Sequence, residues 1–183
     1  GFLMAEFGEE RRAFIKIRNV PKKMKNAILA IEDRRFYQHK GVDAVGVGRA
    51  IVKNLAGASH EGASTITMQV ARNFFLSSDR TLRRKISEIF LSYKIEKNLN
   101  KDQILELYVN QIYLGQRAYG FGAASLVYYG KPLEKLTLAE CALLAGLPKA
   151  PSNYNPFTNL KRAIQRQHEV LKNMLRYGFI DQK

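Results

Sequence analysis

Apolar residues return at helical spacing along most of the chain. Met24, Ala27, Ile28 and Ile31 recur at i, i+3, i+4 and i+7, and Pro21 ahead of them suits a helix's first turn. Asp43 is placed to cap a segment carrying Val47, Ala50 and Ile51 on one face. The stretch from Gly57 to Ser64 reads as a mobile loop, and a helix resumes at Thr65. From Leu82, the residues Ile86, Ile89, Phe90 and Tyr93 mark a long helix that stops near Asn98. It stops there because Asn100 with Gln103 has the pattern of a capping box for the next helix. That helix carries Ile104, Leu107 and Tyr108 and ends near Gly115. Thr137 with Glu140 is a second capping box, and Pro148 and Pro151 close the segment behind it. The last helix runs from about Asn159 to Tyr177, with Gly178 as a left-handed C-terminal residue. No stretch sustains the alternation of a strand and no repeat is visible. The pattern predicts an all-α domain.

Length changes this picture little. At 183 residues the chain buries a sizeable core and is most simply one domain, with room for a smaller lobe. Charge changes it more. Thirty Lys plus Arg against sixteen Asp plus Glu leave a formal +14, a field that concentrates anionic partners: nucleic acid, an anionic membrane surface or a phosphorylated substrate. Cys141 is the single cysteine, within an apolar run that reads as buried helix, so there is no intramolecular disulfide. No window approaches the ~18 continuous apolar residues of a membrane span, and no signal peptide is visible.

Three constellations carry chemistry. Glu32 and Asp33 are adjacent carboxylates at the end of a predicted helix, followed by Phe36, His39 and Gly41 in a shaped turn. The stretch from Gly62 to Asn73 delivers Ser64, Thr65 and Thr67 to a helix start, where hydroxyls and free backbone N–H groups make an anion site. Arg72, Arg80, Arg83, Arg84 and Lys85 fall within fourteen positions, and Arg84 and Lys85 share a helix face with Glu88. A base beside a dense cationic patch suits a reaction whose acceptor loses a proton and whose leaving group is a polyanion. Blander readings stand beside this one: ion-paired surface acids, plain N-capping, and an ordering role for His39. Glu106 is open between a structural and a site-ordering role.

These stretches, in this order, resemble the peptidoglycan glycosyltransferases, family 51 of the glycosyltransferases. Glu-Asp-x-x-Phe-x-x-His-x-Gly fits Glu32, Asp33, Phe36, His39 and Gly41. Gly-x-Ser-Thr-Ile-Thr-x-Gln fits Gly62, Ser64, Thr65, Ile66, Thr67 and Gln69. Arg-Lys-x-x-Glu fits Arg84, Lys85 and Glu88. Lys-x-x-Ile-Leu-Glu-x-Tyr-x-Asn fits Lys101, Ile104, Leu105, Glu106, Tyr108 and Asn110, and Arg-x-x-x-Val-Leu fits Arg166, Val170 and Leu171.

The resemblance implies a mostly α-helical, lysozyme-like domain over residues 1–183, with a smaller hydrophobic jaw at roughly 44–61 that dips into the membrane. It implies polymerisation of lipid II onto a growing glycan chain by inverting transfer, with undecaprenyl pyrophosphate departing. Glu32 and Glu88 are then the catalytic carboxylates. Glu32 is the general base, and Glu88 holds the cations or orients the donor. Arg72, Arg80, Arg84 and Lys85 stabilise the leaving group, and Asp33, Phe36, His39, Ser64, Thr67, Gln69 and Asn73 complete the substrate site. The resemblance calls for no cofactor and no protein-held metal, although a divalent cation such as Mg or Mn can bridge the pyrophosphate. It points to moenomycin as inhibitor, an N-terminal membrane anchor in the full-length protein, no nucleic-acid partner, and the periplasmic face of a bacterial cytoplasmic membrane. Two departures stand out: Met68 replaces the first of two family glutamines, and Arg72 replaces a common Lys. A lysozyme-like glycoside hydrolase and a basic helical nucleic-acid-binding module are the competing readings.

Overall fold

Helix α1 spans Lys22–Glu32 and buries Met24, Ala27 and Ile28 as their spacing predicts, with Leu29 and Ala30 buried beside them. The burial is wider than one stripe because α1 lies against both α7 (Leu138–Gly146) and α8 (Leu160–Arg176), which also pack on each other. A fully withdrawn side chain such as Ile28 contributes about 2 kcal/mol from its apolar area. Pro21 sits one position earlier than expected, as the N-cap of α1. The structure, a computed structural model, describes residues 11–55, 64–75 and 81–181. It groups into two compact units, Gly1–Arg34 with Glu106–Lys183, and Arg35–Leu105.

In the first unit the expected caps form. The Thr137 hydroxyl accepts from the Glu140 N–H while the Glu140 carboxylate accepts from the Thr137 N–H, a complete capping box for α7. Asn159 caps α8, and Gly178 follows it in the left-handed region at φ +72°. Arg166 is buried, donating to the Gly146 carbonyl at 3.3 Å and to Glu169 at 2.6 Å, so this motif arginine seals α7 to α8. Cys141 is fully buried in α7, and burial pushes its thiol up to about 11.

Two features depart from the sequence reading. Strand β1 (Arg11–Arg12) pairs in parallel with β2 (Ala118–Tyr119), with Arg11 opposite Ala118; two-residue strands leave no alternation to detect. Helix α6 (Phe121–Tyr129) was not expected, because it is apolar nearly all round and shows no stripe.

Helix α5 spans Lys101–Gln111, its first turn lying in the second unit and the remainder in the first. Asn100 and Gln103 make the predicted reciprocal cap at its start. It ends at Gln111 and not near Gly115, because Ile112, Tyr113 and Leu114 turn to pair with the returning chain, Tyr113 bridging antiparallel to Tyr119. Within the first unit, α5 anchors the extended N-terminal segment. The Asn110 side chain accepts from the Ile15 N–H and donates to the Ile15 carbonyl, both at 2.8 Å, and the Glu106 carboxylate accepts from the Ile17 N–H at 2.7 Å. Glu106 thus holds this segment by its backbone.

The second unit holds α2 (Ala44–Leu55), α3 (Ile66–Phe75) and α4 (Leu82–Asn98), with α3 packed on α4. Asp43 accepts the first helical bond of α2 from Val47 through its backbone carbonyl. Residues 44–55 of the expected jaw fall inside this unit, and 56–61 lie outside the described residues, as does most of the predicted loop from Gly57 to Ser64.

Helix α4 inverts the usual amphipathic order. Its apolar row Leu82, Ile86, Phe90 and Tyr93 is exposed, Leu82 at 86% and Phe90 at 71%, while Glu88, Ser92 and Ile95 are buried.

Gly120 sets the approach of α6 to α5. It sits at φ +83° and ψ 158°, and an added Cβ would lie 2.7 Å from the Asn110 carbonyl oxygen. This region of backbone space admits essentially only glycine. Gly120→Ala is expected to cost about 3 kcal/mol, strain and clash together, lowering the midpoint of thermal unfolding by roughly 6–12 °C. A midpoint unchanged within error would remove Gly120 from this role.

Candidate functional site

Helices α3 and α4 meet over one carboxylate. Thr65, just before α3, presents its hydroxyl to the Met68 N–H and donates to the Gly41 carbonyl, which fixes the helix start. The Thr81 hydroxyl caps α4 by accepting from the Arg84 N–H at 3.1 Å. With both starts fixed, Arg72 in the last turn of α3 faces Glu88 on α4.

Glu88 is fully buried and engages three cations. Arg72 donates to it twice, from Nε to Oε1 at 2.7 Å and from Nη2 to Oε2 at 3.2 Å. Lys85 Nζ donates to Oε2 at 3.0 Å and also to Ser64 Oγ at 2.8 Å. Arg84 Nε lies 3.3 Å from Oε1. Burial by itself would raise the Glu88 carboxyl, but the hydrogen bonds and charges of Arg72 and Lys85 outweigh it and hold the group below the usual carboxylate range. Three cations against one carboxylate leave a surplus of two positive charges. Arg72 and Lys85 each keep more than a third of their side-chain surface in solvent, so that surplus can reach an anion.

Other predicted site residues in this unit take supporting positions. Thr67 is fully buried and its hydroxyl donates to Glu96 at 2.6 Å; Glu96 also accepts from Lys101 Nζ at 2.6 Å. Phe36 is fully buried, with Tyr37 edge-on at 5.2 Å, His39 at 6.2 Å and the Lys101 ammonium 4.4 Å from its ring centre. Neither the Thr67 nor the Phe36 side chain reaches solvent; each packs against groups of its own unit. His39 is buried as well. Gln69 is partly exposed on α3 and Asn73 is exposed in its last turn. Met68, where the family carries a glutamine, is 2% exposed, so the substitution falls in the core. Arg80 and Gly62 lie outside the described residues.

In the first unit, Glu32 is the last residue of α1 and keeps part of its surface in solvent, while Asp33 is its buried C-cap. The phenol of Tyr108, fully buried on α5, is pushed well above its ordinary value by burial and then by the charges of Glu32 and Asp33. Tyr108 is the group that sequence reasoning treated only as core, although its place in the fourth motif marks it. Among the described residues, no group of three or more His, Cys, Asp or Glu side chains is placed to hold a metal ion.

Three comparisons bear on these groups. The family described as Transglycosylase matches residues 1–175. Penicillin-binding protein 1A of Neisseria cinerea is 58% identical over 176 residues, which are 96% of this chain and 22% of that protein. Penicillin-binding protein 1A of Escherichia coli (strain K12) is 54% identical over 184 residues, covering 100% of this chain and 22% of that protein. The crystal structure of penicillin-binding protein 1A from Haemophilus influenzae matches with a TM-score of 0.56 and 30% identity, over 100% of this chain and 18% of that one. The chain thus spans about a fifth of the length of these relatives.

The clasp around Glu88 makes a prediction. Glu88→Gln removes the charge that holds three cations together and is expected to destabilise the fold by about 2 kcal/mol at neutral pH. Because the folded-state carboxyl is depressed, its stabilising contribution is complete above the ordinary value of 4.5 and fades as pH falls through the lower folded value. Denaturant unfolding of parent and variant at pH 7 and pH 3 should show the gap shrinking at pH 3. A gap of equal size at both would sink this account.

Proposed function

From the membership of this chain in the transglycosylase family, which the match over residues 1–175 establishes, we propose that it is a peptidoglycan glycosyltransferase domain polymerising lipid II. The observation that carries the mechanism is the clasp of Arg72, Arg84 and Lys85 on buried Glu88, with its two unspent positive charges. A departing pyrophosphate develops negative charge on oxygens that such donors stabilise, and pre-positioned donors cost no reorganisation at the moment of bond cleavage.

In this reading Glu32 takes the proton from the acceptor's 4-hydroxyl. The freed oxygen attacks the anomeric carbon of the donor, the bond to the pyrophosphate oxygen breaks, and the configuration inverts from α to β. Glu88 does not titrate in the reaction: a carboxylate held ionised by three cations serves as their anchor. Gln69 and Asn73 lie within one turn of Arg72 on the same helix, which supports a role for both in holding the donor. A glycoside hydrolase with the same fold would leave the cationic clasp without a task.

The same reading gives the exposed apolar side chains a partner. Leu82, Ile86 and Phe90 on α4, with Val45 and Val52 on α2, meet a lipid surface, consistent with a lipid-linked donor and with a place on the periplasmic face of the cytoplasmic membrane. No helix among the described residues is long and apolar enough to cross a membrane.

Glycan formation from purified lipid II in detergent tests the proposal. Glu32→Gln should lower the rate at least a hundredfold with thermal unfolding unchanged. Comparable activity in the folded variant would remove Glu32 as base. Lys85→Ala should weaken both donor use and moenomycin binding; inhibitor affinity equal to the parent's would take Lys85 out of the pyrophosphate site.

Lipid contact has its own check. Phe90→Ser, at a 71% exposed position, should leave stability within about 0.5 kcal/mol and reduce sedimentation with phospholipid vesicles. Unreduced sedimentation would exclude α4 from the contact.

A further inference from the structure

The far end of α4 carries a cavity of about 590 Å³ that the pyrophosphate chemistry does not use. Its lining includes Tyr37, Lys40, Tyr93, Glu96, Lys97 and Lys101. The separation from the clasp follows from helix geometry: Lys97 lies nine residues beyond Glu88, roughly 13 Å along the axis and about half a turn round the helix.

The walls are held in place by groups already described. Glu96 is fixed by Thr67 and Lys101, and Lys101 by Glu96 and the Phe36 ring. Tyr37 stands edge-on to Phe36, and its hydroxyl donates to Asp102 at 3.0 Å. Burial, then the hydrogen bond to Asp102 and its charge, push that phenol up to about 12. Tyr37 is nevertheless 54% exposed, and Tyr93 is 51% exposed. Two half-exposed tyrosine rings therefore border one cavity, one of them locked in orientation.

The charge of the lining is not balanced. Lys40, Lys97 and Lys101 face a single lining carboxylate, Glu96, which leaves two positive charges, and Asp102 stands behind the Tyr37 hydroxyl outside the lining. Lys40 and Lys97 are exposed and make no ion pair among the described residues. The carboxamides of Gln38 and Asn100 are also in the lining.

Tyrosine faces suit the C–H faces of pyranose rings, carboxamides suit sugar hydroxyl and acetamido groups, and surplus ammonium groups suit carboxylates. We infer that this cavity is a binding site for an oligosaccharide that carries carboxylates, one lying along α4 beyond the cationic clasp. Under the glycosyltransferase reading, on which the identity of the saccharide rests, that ligand is the peptide-bearing glycan itself. The site then grips the strand at a distance from the reacting bond, and Lys97 and Tyr93 set its preference for an acidic saccharide.

The test is direct binding, measured by calorimetry on the whole chain. The probe is a lipid-free disaccharide of N-acetylglucosamine and N-acetylmuramic acid carrying its peptide; the uncharged tetramer of N-acetylglucosamine is the comparison. The acidic probe should bind, the neutral one at least tenfold more weakly. Lys97→Ala and Tyr93→Ala should each weaken the acidic probe at least tenfold, with thermal unfolding unchanged. Saturating moenomycin should not displace it. Equal affinity for the two probes, unchanged affinity in both variants, displacement by moenomycin, or no binding of the acidic probe would each overturn the inference. Polymerisation by the parent is scored separately, so loss of this site and loss of the glycosyltransferase reading give different results.

Discussion

Three cations gathered on two packed helices repel one another, and Glu88 lies among them where α3 meets α4. A carboxylate with no solvent exposure is costly by itself. Here it accepts from Arg72 twice and from Lys85, with Arg84 beside it, so every charge at the junction has a partner while the sum stays positive. That is the condition for binding an anion: enough internal neutralisation to fold, and enough surplus to attract. The same junction fixes Ser64 through Lys85, and so ties the residue entering α3 to α4.

Helix α4 follows from this constraint. Turning Glu88 inward to serve the junction turns Leu82, Ile86 and Phe90 outward. In a water-soluble domain such a face raises the free energy of the folded state; against lipid it lowers it. One helix thereby presents a polar anchor to its own unit and an apolar row to its surroundings. Its final turns, from Tyr93 on, border the cavity at its far end.

The first unit has a different logic. Its core is the triangle of α1, α7 and α8, in which Arg166 and the caps at Thr137 and Asn159 satisfy the backbone groups that packing buries. Glu106 and Asn110 hold an extended segment by its backbone, so they act without regard to that segment's side chains. Glu32 closes α1 on this scaffold.

Local physics is legible in sequence. The starts of α5, α7 and α8, the reciprocal caps at Asn100 and Thr137, and the left-handed Gly178 depend on residues a few positions apart, and all were readable from spacing. So was the shared face of Arg84 and Lys85 with Glu88, because i,i+4 and i,i+3 spacing already places them together. Other features needed the fold. The apolar period of α4 predicted a helix correctly yet said nothing of which face is buried, because that depends on Arg72 arriving from α3. Thr67 and Phe36 carry motif positions but face inward, toward Glu96 and Lys101 contributed from elsewhere in the chain. Helix α6 and the β1–β2 pair have no periodicity of their own. Sequence determined the helices and the chemistry they carry, since those arise between neighbours; only the tertiary structure decided which groups face water, which face one another and which anchor the rest, since burial is set by partners distant along the chain.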